Sequence, residues 1–280
     1  QHNEDSTIWV VLNGEIYNFR EIKKKLESNH KFYTNSDTEV IVHAYEEYGE
    51  DCVNHLNGMF AFAIWDTKKK KLFLARDRLG VKPLFYCNLN NNLLFSSEIK
   101  SILQLEEVNR ELNYDSLSQF VTYAYTIDGQ TLFKNIQELM PGQKLVYSFD
   151  DKKIKISNYW NLKLQHTNDS EDLLINKLEN YLEKSIKLRQ ESDAPIGALL
   201  SGGLDSSIMV SMLSKMSNEP VKTFTTGFGH DLDEYDEAKI VADYCNTEHT
   251  EIKLSYKKLT DSLPSILWHM EFPFGRPSIL

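Results

Sequence analysis

The chain has 280 residues, of which 41% are hydrophobic and 26% are charged, and its formal net charge at pH 7 is −10. This length exceeds the usual size of one domain, and the apolar content can supply two cores, which argues against disorder. The acidic balance disfavours nucleic-acid and membrane-surface partners, and the longest apolar runs, such as residues 59–65, are too short to span a bilayer.

Strand and hairpin patterns dominate the first part of the chain. Strands are predicted, in chain order, over residues 7–12, 59–65, 71–75, 82–88, 93–96, 143–148 and 153–157. Helical spacing is predicted over residues 19–28, 39–48, 97–104 and 114–123. Asn13-Gly14 follows the first strand, and the Asn-rich residues 89–92 connect a hairpin. Hairpins imply antiparallel sheets with helices packed on them, which is an α+β arrangement.

The pattern changes after a polar stretch at residues 165–171, where we place the domain boundary, so that residues 1–165 and 166–280 form two domains. A helix to about Gln190 follows, and its apolar stripe consists of Leu174, Leu178, Tyr181 and Leu182. Beyond it, strands at 196–200, 221–228 and 250–254 alternate with helices at 206–216, 234–244 and after Tyr256. This alternation predicts an α/β domain whose parallel sheet is buried, covered on both faces, and binds ligands beyond the carboxyl ends of its strands.

Residues 201–207, Ser-Gly-Gly-Leu-Asp-Ser-Ser, lie between a predicted strand and a predicted helix. The two glycines allow a tight turn close to a ligand, and the helix start offers free N–H groups to an anion. Hydroxyl groups and one carboxylate, which can hold a metal bound to phosphate, come from Ser201, Ser206, Ser207 and Asp205. The loop has no lysine and is therefore not a Walker loop. The alternative interpretation is a turn whose polar side chains cap the helix.

Cysteine and histidine positions give little further indication of a site. Cys52, Cys87 and Cys245 lie far apart without a CxxC pattern, so we expect neither a disulfide framework nor a zinc site, and we expect a cytoplasmic location. His230, His249 and His269 share no ligand spacing. The acidic residues 233–237 are interpreted as charging the first turn of a helix. The start at Gln1 and the stop at Leu280 indicate a segment of a longer protein.

The loop is similar to the pyrophosphate loop of the N-type ATP pyrophosphatases, and nearly the whole chain resembles the glutamine-hydrolysing asparagine synthetases. The resemblance is carried by the loop and by residues 12–18 (Leu-Asn-Gly-Glu-Ile-Tyr-Asn), 34–40, 56–66, 75–84, 96–100, 192–197 and 271–278. It implies a class II glutamine amidotransferase domain of the N-terminal-nucleophile type. It further implies that an ATP-pyrophosphatase domain, similar to adenine nucleotide alpha hydrolases, follows.

For the first domain, the resemblance implies an oxyanion hole made by Asn13 and Gly14, and glutamine binding by these two residues with Glu15 and Asp37. Taken alone, Asn-Gly after a strand is also the commonest hairpin turn. Arg76, Asp77 and Lys82 are expected to organise the fold. The nucleophile of the family is an N-terminal cysteine, whereas position 1 is Gln, so the chain as given is not expected to hydrolyse glutamine.

For the second domain, the resemblance implies that the loop residues Ser201, Gly202, Gly203, Asp205, Ser206 and Ser207 hold the ATP pyrophosphate. Asp205 would bind Mg²⁺, Leu199 and Thr226 would contact the nucleotide, and Arg276 and Ser278 would line the acceptor side. The alternative for Arg276 is an ordinary residue of the surface or of the edge of the core. The implied reaction activates aspartate as β-aspartyl-AMP and amidates it with ammonia from glutamine. Homodimers are usual in the family. Alternatives are another carboxylate acceptor (a sugar acid, a peptide or a β-lactam precursor) and a non-catalytic homologue.

Overall fold

The computed structural model of the protein describes residues 1–192, 194–230 and 233–272. The chain forms two compact units, one of Gln1–Leu164 together with residues 270–272, and one of Gln165–His269. Each unit is built around its own sheets, and the two are described separately below. Among the described residues, no helix combines the length and the apolar character that crossing a membrane requires.

The first unit contains two antiparallel sheets. Its strands are β1 (Ile8–Ile16), β2 (Gly58–Asp66), β3 (Lys71–Arg76), β4 (Phe85–Leu89), β5 (Asn92–Ser96), β6 (Gln137–Glu138), β7 (Gln143–Ser148) and β8 (Lys153–Asn158). The larger sheet has the order β1-β2-β3-β7-β8, and the smaller sheet has the order β5-β4-β6. Every neighbouring pair in both sheets is antiparallel, as the hairpin patterns predict.

Four helices complete the first unit: α1 (Phe19–Leu26), α2 (Asp37–Tyr48), α3 (Ile99–Ile102) and α4 (Tyr114–Tyr123). A 3₁₀ turn at Gly49–Asn54 follows α2. In the β4–β5 hairpin, Asn90 and Asn91 have φ angles of 51° and 63°. Two residues with positive φ are what a type I′ turn requires, and asparagine tolerates this conformation better than most residues.

Alternating side chains on the large sheet enter two different cores. Phe60, Phe62 and Ile64 of β2 pack with buried side chains of α1 and α2. Ala61 and Ala63, the residues between them, pack instead with the β4 residue Tyr86. A third cluster joins the other face of β4 to α3. The first unit is therefore layered as helices, large sheet, small sheet and helix.

The structure corrects the predicted end of the first strand. Asn13 and Gly14 do not form a hairpin turn, because β1 continues through them to Ile16 and pairs with β2 along its whole length. Position 14 needs a glycine for a close approach between neighbouring strands: a Cβ there would lie 2.1 Å from the carbonyl oxygen of Met59. A turn signal and a close-approach signal look the same in a single sequence.

The second unit contains one parallel sheet. Its strands are β9 (Gly197–Leu199), β10 (Lys222–Gly227) and β11 (Glu248–Lys253), in the order β11-β10-β9. Both strand pairs are parallel, as the alternating pattern predicts. The helices are α5 (Glu171–Arg189), α6 (Leu204–Met216), α7 (Tyr235–Tyr244) and α8 (Tyr256–Met270).

Burial in the second unit is lower than the sequence predicts. Its core cluster consists of Leu200, Val210, Ala238 and Ala242. Leu199, predicted within a buried strand, is 78% exposed, because strand side chains alternate and Leu200 points to the helices. Ile252 of β11 is also exposed, so in the described part of the chain the sheet is not covered on both faces.

The predicted stripe of α5 is likewise largely exposed. Leu174, Leu178 and Tyr181 are exposed, and Ile186 is the buried residue of this helix. The stripe residues Leu178 and Leu182 line an apolar groove of about 610 Å³ together with α6 and α7. Helical spacing thus predicts the correct element but not the burial of its face. The predicted fold class, an antiparallel α+β unit followed by a parallel α/β unit, is confirmed.

Candidate functional site

The first group of candidate residues lies at the end of β1. Asn13, Gly14 and Glu15 pair in register with Ala61, Phe60 and Met59 of β2. Side chains alternate along a strand, so those of Asn13 and Glu15 share the face opposite to the buried Ile16. An amide and a carboxylate are thereby presented on one side of the sheet, at an edge strand.

The side chain of Asn13 is held by a residue from a distant segment. Its Nδ2 donates a hydrogen bond of 3.0 Å to Oγ of Ser97, which lies between β5 and α3. An asparagine amide has two N–H donors, so one remains for a ligand after this bond. Sequence reasoning did not identify Ser97. Its signal is its place in the Ser-Ser-Glu-Ile-Lys segment that carries part of the resemblance.

Asp37 reaches the same end of β1 from the start of α2. Its Oδ2 accepts a hydrogen bond of 2.8 Å from the backbone N–H of Ile16. Ser36 is the N-cap of α2 and accepts from the N–H of Thr38, so the chain must turn directly before Asp37. The structure thus joins two sequence segments at one place, with Glu15 exposed one residue before the contact.

The buried Glu39 fixes the loop that leads into α2. Its carboxylate accepts hydrogen bonds from the N–H groups of Tyr33 and Thr34 and from the Thr34 hydroxyl. Burial raises the pKa of this carboxyl, but these hydrogen bonds outweigh it and hold the pKa below its ordinary value. The position of Asp37 therefore depends on an ionised carboxylate two residues away.

Arg76 and Asp77 organise a turn, as the sequence analysis expects. The carboxylate of Asp77 accepts from the backbone N–H groups of Phe60, Leu79, Val81 and Lys82. The guanidinium of Arg76 donates to the carbonyl oxygens of Gly80, Lys82 and Leu139. Both residues are buried, and the guanidinium of Arg76 also forms an ion pair with Glu138 at 2.7 Å. Their chemistry is structural.

Two cysteines of this unit are unsuited to nucleophilic attack. Cys52 and Cys87 are buried. Burial raises the pKa of the Cys52 thiol to about 12 and also raises that of Cys87. Because the thiolate is the nucleophilic form, both are expected to be inert near neutral pH.

The second group of candidate residues surrounds the turn between β9 and α6. The chain leaves the sheet at Leu200, whose N–H donates to the carbonyl oxygen of Phe224. Gly203 is the N-cap of α6 and has no side chain to accept from the first-turn amides. These N–H groups and the positive end of the helix dipole are therefore available to an anion.

The two glycines of the turn differ in what a side chain at their position would contact. Gly202 has a φ of +75°, and a Cβ there would lie 2.4 Å from Cβ of Glu237 and 2.7 Å from the N of Ala238. It is therefore required for packing against α7. A Cβ on Gly203 would meet only Oγ of Ser201, at 3.3 Å, a side-chain atom that can shift, so no backbone atom blocks a side chain here.

The three serines of the turn bind one another and the backbone. The hydroxyls of Ser206 and Ser207 donate to the carbonyl oxygen of Gly203, at 3.1 and 2.7 Å. Ser201 Oγ contacts Ser206 Oγ at 3.1 Å and accepts from the N–H of Gly203. An anion in the turn would replace these local bonds with stronger, charge-assisted ones after rotation of the hydroxyls.

The remaining candidates lie around the turn. Asp205 is exposed in the first turn of α6. Leu199 pairs in register with Phe224, so Thr226 lies two residues further toward the carboxyl end of the sheet, and its side chain is exposed. One carboxylate beside a turn whose N–H groups are available to an anion is the kind of group that Mg²⁺ takes together with phosphate oxygens. Arg276 and Ser278 lie outside the described residues.

The acidic stretch before α7 has two separate roles. Asp236 and Glu237 lie in the first turn of that helix, as predicted. Asp233 instead closes the preceding turn, accepting from the N–H groups of Gly229 and His230, and these bonds lower its pKa. His230 contacts the hydroxyl of Tyr256, and His249 contacts that of Thr223.

Two family matches cover most of the chain, one in its first part and one in its second part. Residues 2–160 match the family described as glutamine amidotransferase domain. Residues 177–280 match the family described as asparagine synthase. The chain thus combines an amidotransferase domain with a synthase domain.

Individual relatives agree with both matches. A putative glutamine-hydrolysing asparagine synthetase 2 of Methanocaldococcus jannaschii is 37% identical, with 96% of this chain and 52% of the relative covered. Asparagine synthetase 1 of Bacillus subtilis is 33% identical (99% and 44% covered), and the amidase chyE of Penicillium rubens is 32% identical (97% and 43% covered). The chain therefore belongs to the glutamine-hydrolysing asparagine synthetase family. It spans about half the length of these curated relatives.

A solved structure, the glutamine phosphoribosylpyrophosphate amidotransferase of B. subtilis with ADP and GMP, aligns with a TM-score of 0.41 at 14% identity. The alignment covers 94% of this chain and 74% of that one. A similarity at this level is too weak to support a structural conclusion.

Proposed function

We propose that the protein containing this chain is an ATP-dependent ligase that converts aspartate to asparagine with nitrogen from glutamine. The observation that carries the proposal is the turn at residues 201–207, where a glycine N-cap at a parallel strand end leaves the first-turn N–H groups of α6 without a side-chain acceptor. Family membership and the two similar asparagine synthetases support the choice of reaction.

In the proposed reaction, a side-chain carboxylate oxygen of aspartate bonds to the α-phosphorus of ATP and pyrophosphate leaves. Ammonia then attacks the acyl carbon of β-aspartyl-AMP, and AMP leaves. The first-turn amides of α6, with Ser201, Ser206 and Ser207, would hold the pyrophosphate part and orient it. Leu199 and Thr226 would contact the nucleotide. Asp205 would hold Mg²⁺, which neutralises phosphate charge when bound.

In the first unit, we propose that glutamine binds at the end of β1. Glu15 and Asp37 would accept from its α-ammonium group, because carboxylates are the natural partners of a cation. The free amide N–H of Asn13 and the backbone of Gly14 would stabilise the oxyanion formed during hydrolysis. We assign residues 1–165 to the glutaminase domain and residues 166–280 to the synthetase domain, and the attacking nucleophile of glutamine hydrolysis is not among the candidate residues of this chain. A cytoplasmic location and a homodimer stay predictions.

A second candidate keeps the mechanism and changes the acceptor. The similarity to the amidase chyE, which is not described as an asparagine synthetase, supports a different carboxylate acceptor.

The test incubates the full-length protein with ATP, Mg²⁺, glutamine and aspartate, and measures asparagine and pyrophosphate. We expect asparagine and pyrophosphate in equal amounts, and we expect Asp205→Asn to lower pyrophosphate release at least about 100-fold, because a metal ligand is lost. Asp172→Asn is the matched control, since Asp172 is also an exposed first-turn acid of the second unit. The absence of both asparagine and aspartate-dependent pyrophosphate release would contradict aspartate as the acceptor and favour the second candidate. Undiminished turnover of Asp205→Asn would contradict the metal assignment.

A further inference from the structure

Four metal-binding side chains meet in the first unit, on the helical side of the large sheet. They are Glu4 before β1, His30 after α1, and His43 and Glu46 on α2. Each offers one ligand atom, and these atoms all lie within 4.8 Å of one another. None of the four belongs to the segments that carry the family resemblance.

The distances between these atoms suit a small tetrahedral site. Nδ1 of His43 lies 2.8 Å from Oε2 of Glu46 and 3.8 Å from Oε2 of Glu4. Nδ1 of His30 lies 3.3 Å from Oε2 of Glu46 and 3.9 Å from Oε1 of Glu4. Metal–ligand bonds of about 2.0–2.1 Å in a tetrahedron give ligand–ligand separations of about 3.3 Å. The three distances that involve Oε2 of Glu46 or Oε2 of Glu4 (2.8, 3.3 and 3.8 Å) span this value, whereas the 3.9 Å contact uses the other oxygen of Glu4, Oε1.

The second nitrogen of each imidazole faces a further carboxylate. Nε2 of His43 lies 3.8 Å from Glu39, and Nε2 of His30 lies 3.6 Å from Glu47. Both Nε2 atoms are buried and make no hydrogen bond with the described residues, and the His43 side chain is 0% exposed. A carboxylate behind a histidine is the usual support of a metal-binding imidazole. A small shortening of the two Nε2–carboxylate distances would turn these contacts into hydrogen bonds.

The two carboxylate ligands are already oriented by other groups. Oε1 of Glu46 accepts from Nδ2 of the buried Asn3 at 2.7 Å, which leaves Oε2 directed at both imidazoles. Oε1 of Glu4 accepts from the N–H of Lys31, also at 2.7 Å. Fixed ligands lose less entropy on binding a metal than mobile ones do.

Charge also favours a cation at this place. The carboxylates of Glu4, Glu39, Glu46 and Glu47 face two imidazoles, so negative charge remains even when both imidazoles are protonated. A divalent ion would offset that excess and would replace the 2.8 Å contact between Nδ1 of His43 and Oε2 of Glu46. Two imidazole nitrogens and two carboxylate oxygens suit Zn²⁺ among the common ions.

We propose that Glu4, His30, His43 and Glu46 form a structural Zn²⁺ site that fastens the start of the chain and the segment after α1 to α2. The sequence-based expectation of no zinc site rested on the spacing of the cysteines and of three other histidines, so it did not take these four residues into account. The available signal was the pair His43 and Glu46, three residues apart on one helix face.

The experiment uses the full-length protein after removal of metal with EDTA and dialysis. Calorimetric titration with Zn²⁺ is expected to show one site per chain, and saturation is expected to raise Tm by about 5–10 °C. Co²⁺ in place of Zn²⁺ is expected to give the visible absorption of a tetrahedral site.

His30→Gln and Glu4→Gln are the variants of choice, because both residues are less buried than His43 and should leave the fold intact, which circular dichroism would check. Both are expected to lose the Zn²⁺-dependent rise in Tm. His55→Gln is the matched control, since His55 is an exposed histidine of the same unit that stacks on Tyr48. An equal Zn²⁺ response in His30→Gln and the unmodified protein would overturn the proposal. So would a Tm that responds to pH and not to Zn²⁺.

Discussion

The amide of Asn13 shows how a single side chain in this family is positioned from far along the sequence. It lies on an edge strand, and Ser97, 84 residues later, takes one of its hydrogen bonds. A carboxamide that is already held in place needs little reorganisation when negative charge develops beside it, which is the source of most oxyanion stabilisation. The bond to Ser97 therefore bears directly on the proposed role of Asn13.

We predict that Asn13→Ala lowers glutamine-dependent product formation by about 10²–10³-fold in the full-length protein, the usual effect of losing one oxyanion donor. Synthesis with added ammonia should be unchanged, because the turn proposed to bind ATP lies in the other unit. The measurement compares the two nitrogen sources under otherwise equal conditions.

The control for Asn13 is Asn88→Ala, since Asn88 is an exposed strand asparagine of the same unit. It should affect neither nitrogen source. Equal losses with glutamine and with ammonia in Asn13→Ala would contradict the proposed role and indicate a folding defect. Gly14→Ala is unsuitable for this test, because its Cβ would clash with β2 whatever the chemistry.

In the turn between β9 and α6, one glycine is needed for folding and the next lies where a ligand would bind. Gly202 has positive φ and touches the backbone of α7, whereas no backbone atom blocks a side chain at Gly203. We predict that Gly202→Ala lowers the free energy of unfolding by about 1–3 kcal/mol, from left-handed strain and steric overlap. Gly203→Ala should cost less than about 1 kcal/mol, the difference between the two residues at an N-cap.

The same pair of variants tests the anion site. A methyl group on Gly203 would narrow the mouth of the turn, so Gly203→Ala should weaken ATP binding although its urea unfolding curve stays close to that of the unmodified protein. Unchanged ATP affinity in this variant would show that the nucleotide does not approach the N-cap. A large stability loss in Gly203→Ala would contradict the absence of a backbone clash at this position.

Elements with a strong local signal could be predicted from the sequence. The predicted helix at residues 114–123 coincides with α4, and the predicted strand at 143–148 coincides with β7. The predicted helix at 97–104 shrinks to α3, because Glu98 is extended and the N–H groups of Ile99 and Lys100 bind the distant carboxylate of Glu271. Hydrogen bonds between residues that are far apart in the sequence produce no periodic pattern of apolar residues, so the sequence could not predict where this helix begins.

The candidate sites follow the same division. Sequence motifs indicated Asn13, Asp37 and the 201–207 turn, and family membership explains why. Neither Ser97 nor the cluster of Glu4, His30, His43 and Glu46 could be identified from the sequence, because the fold brings these separate segments together. A pattern of spacing along one helix can suggest a pair such as His43 and Glu46, but it cannot supply ligands from before β1.

At the scale of the whole molecule, the two units differ in how much apolar surface they bury. The first has three clusters, two of which include large aromatic and aliphatic side chains of β2 and β3. The described residues of the second form one small cluster, in which two of the four residues are alanine. Buried apolar area is the main source of folding free energy, so the units should differ in local stability.

We predict that hydrogen–deuterium exchange of the 280-residue chain is at least about tenfold faster in α8 than in β2 and β3, which corresponds to about 1.4 kcal/mol of opening free energy. α8 contains no buried residue and has Pro264 in its interior, which removes a helix hydrogen bond. Within the second unit, α6 and α7 should exchange more slowly than α8, because Val210, Ala238 and Ala242 anchor them to the core. Equal protection of α8 and β2 would mean that apolar burial within each unit does not determine its local stability.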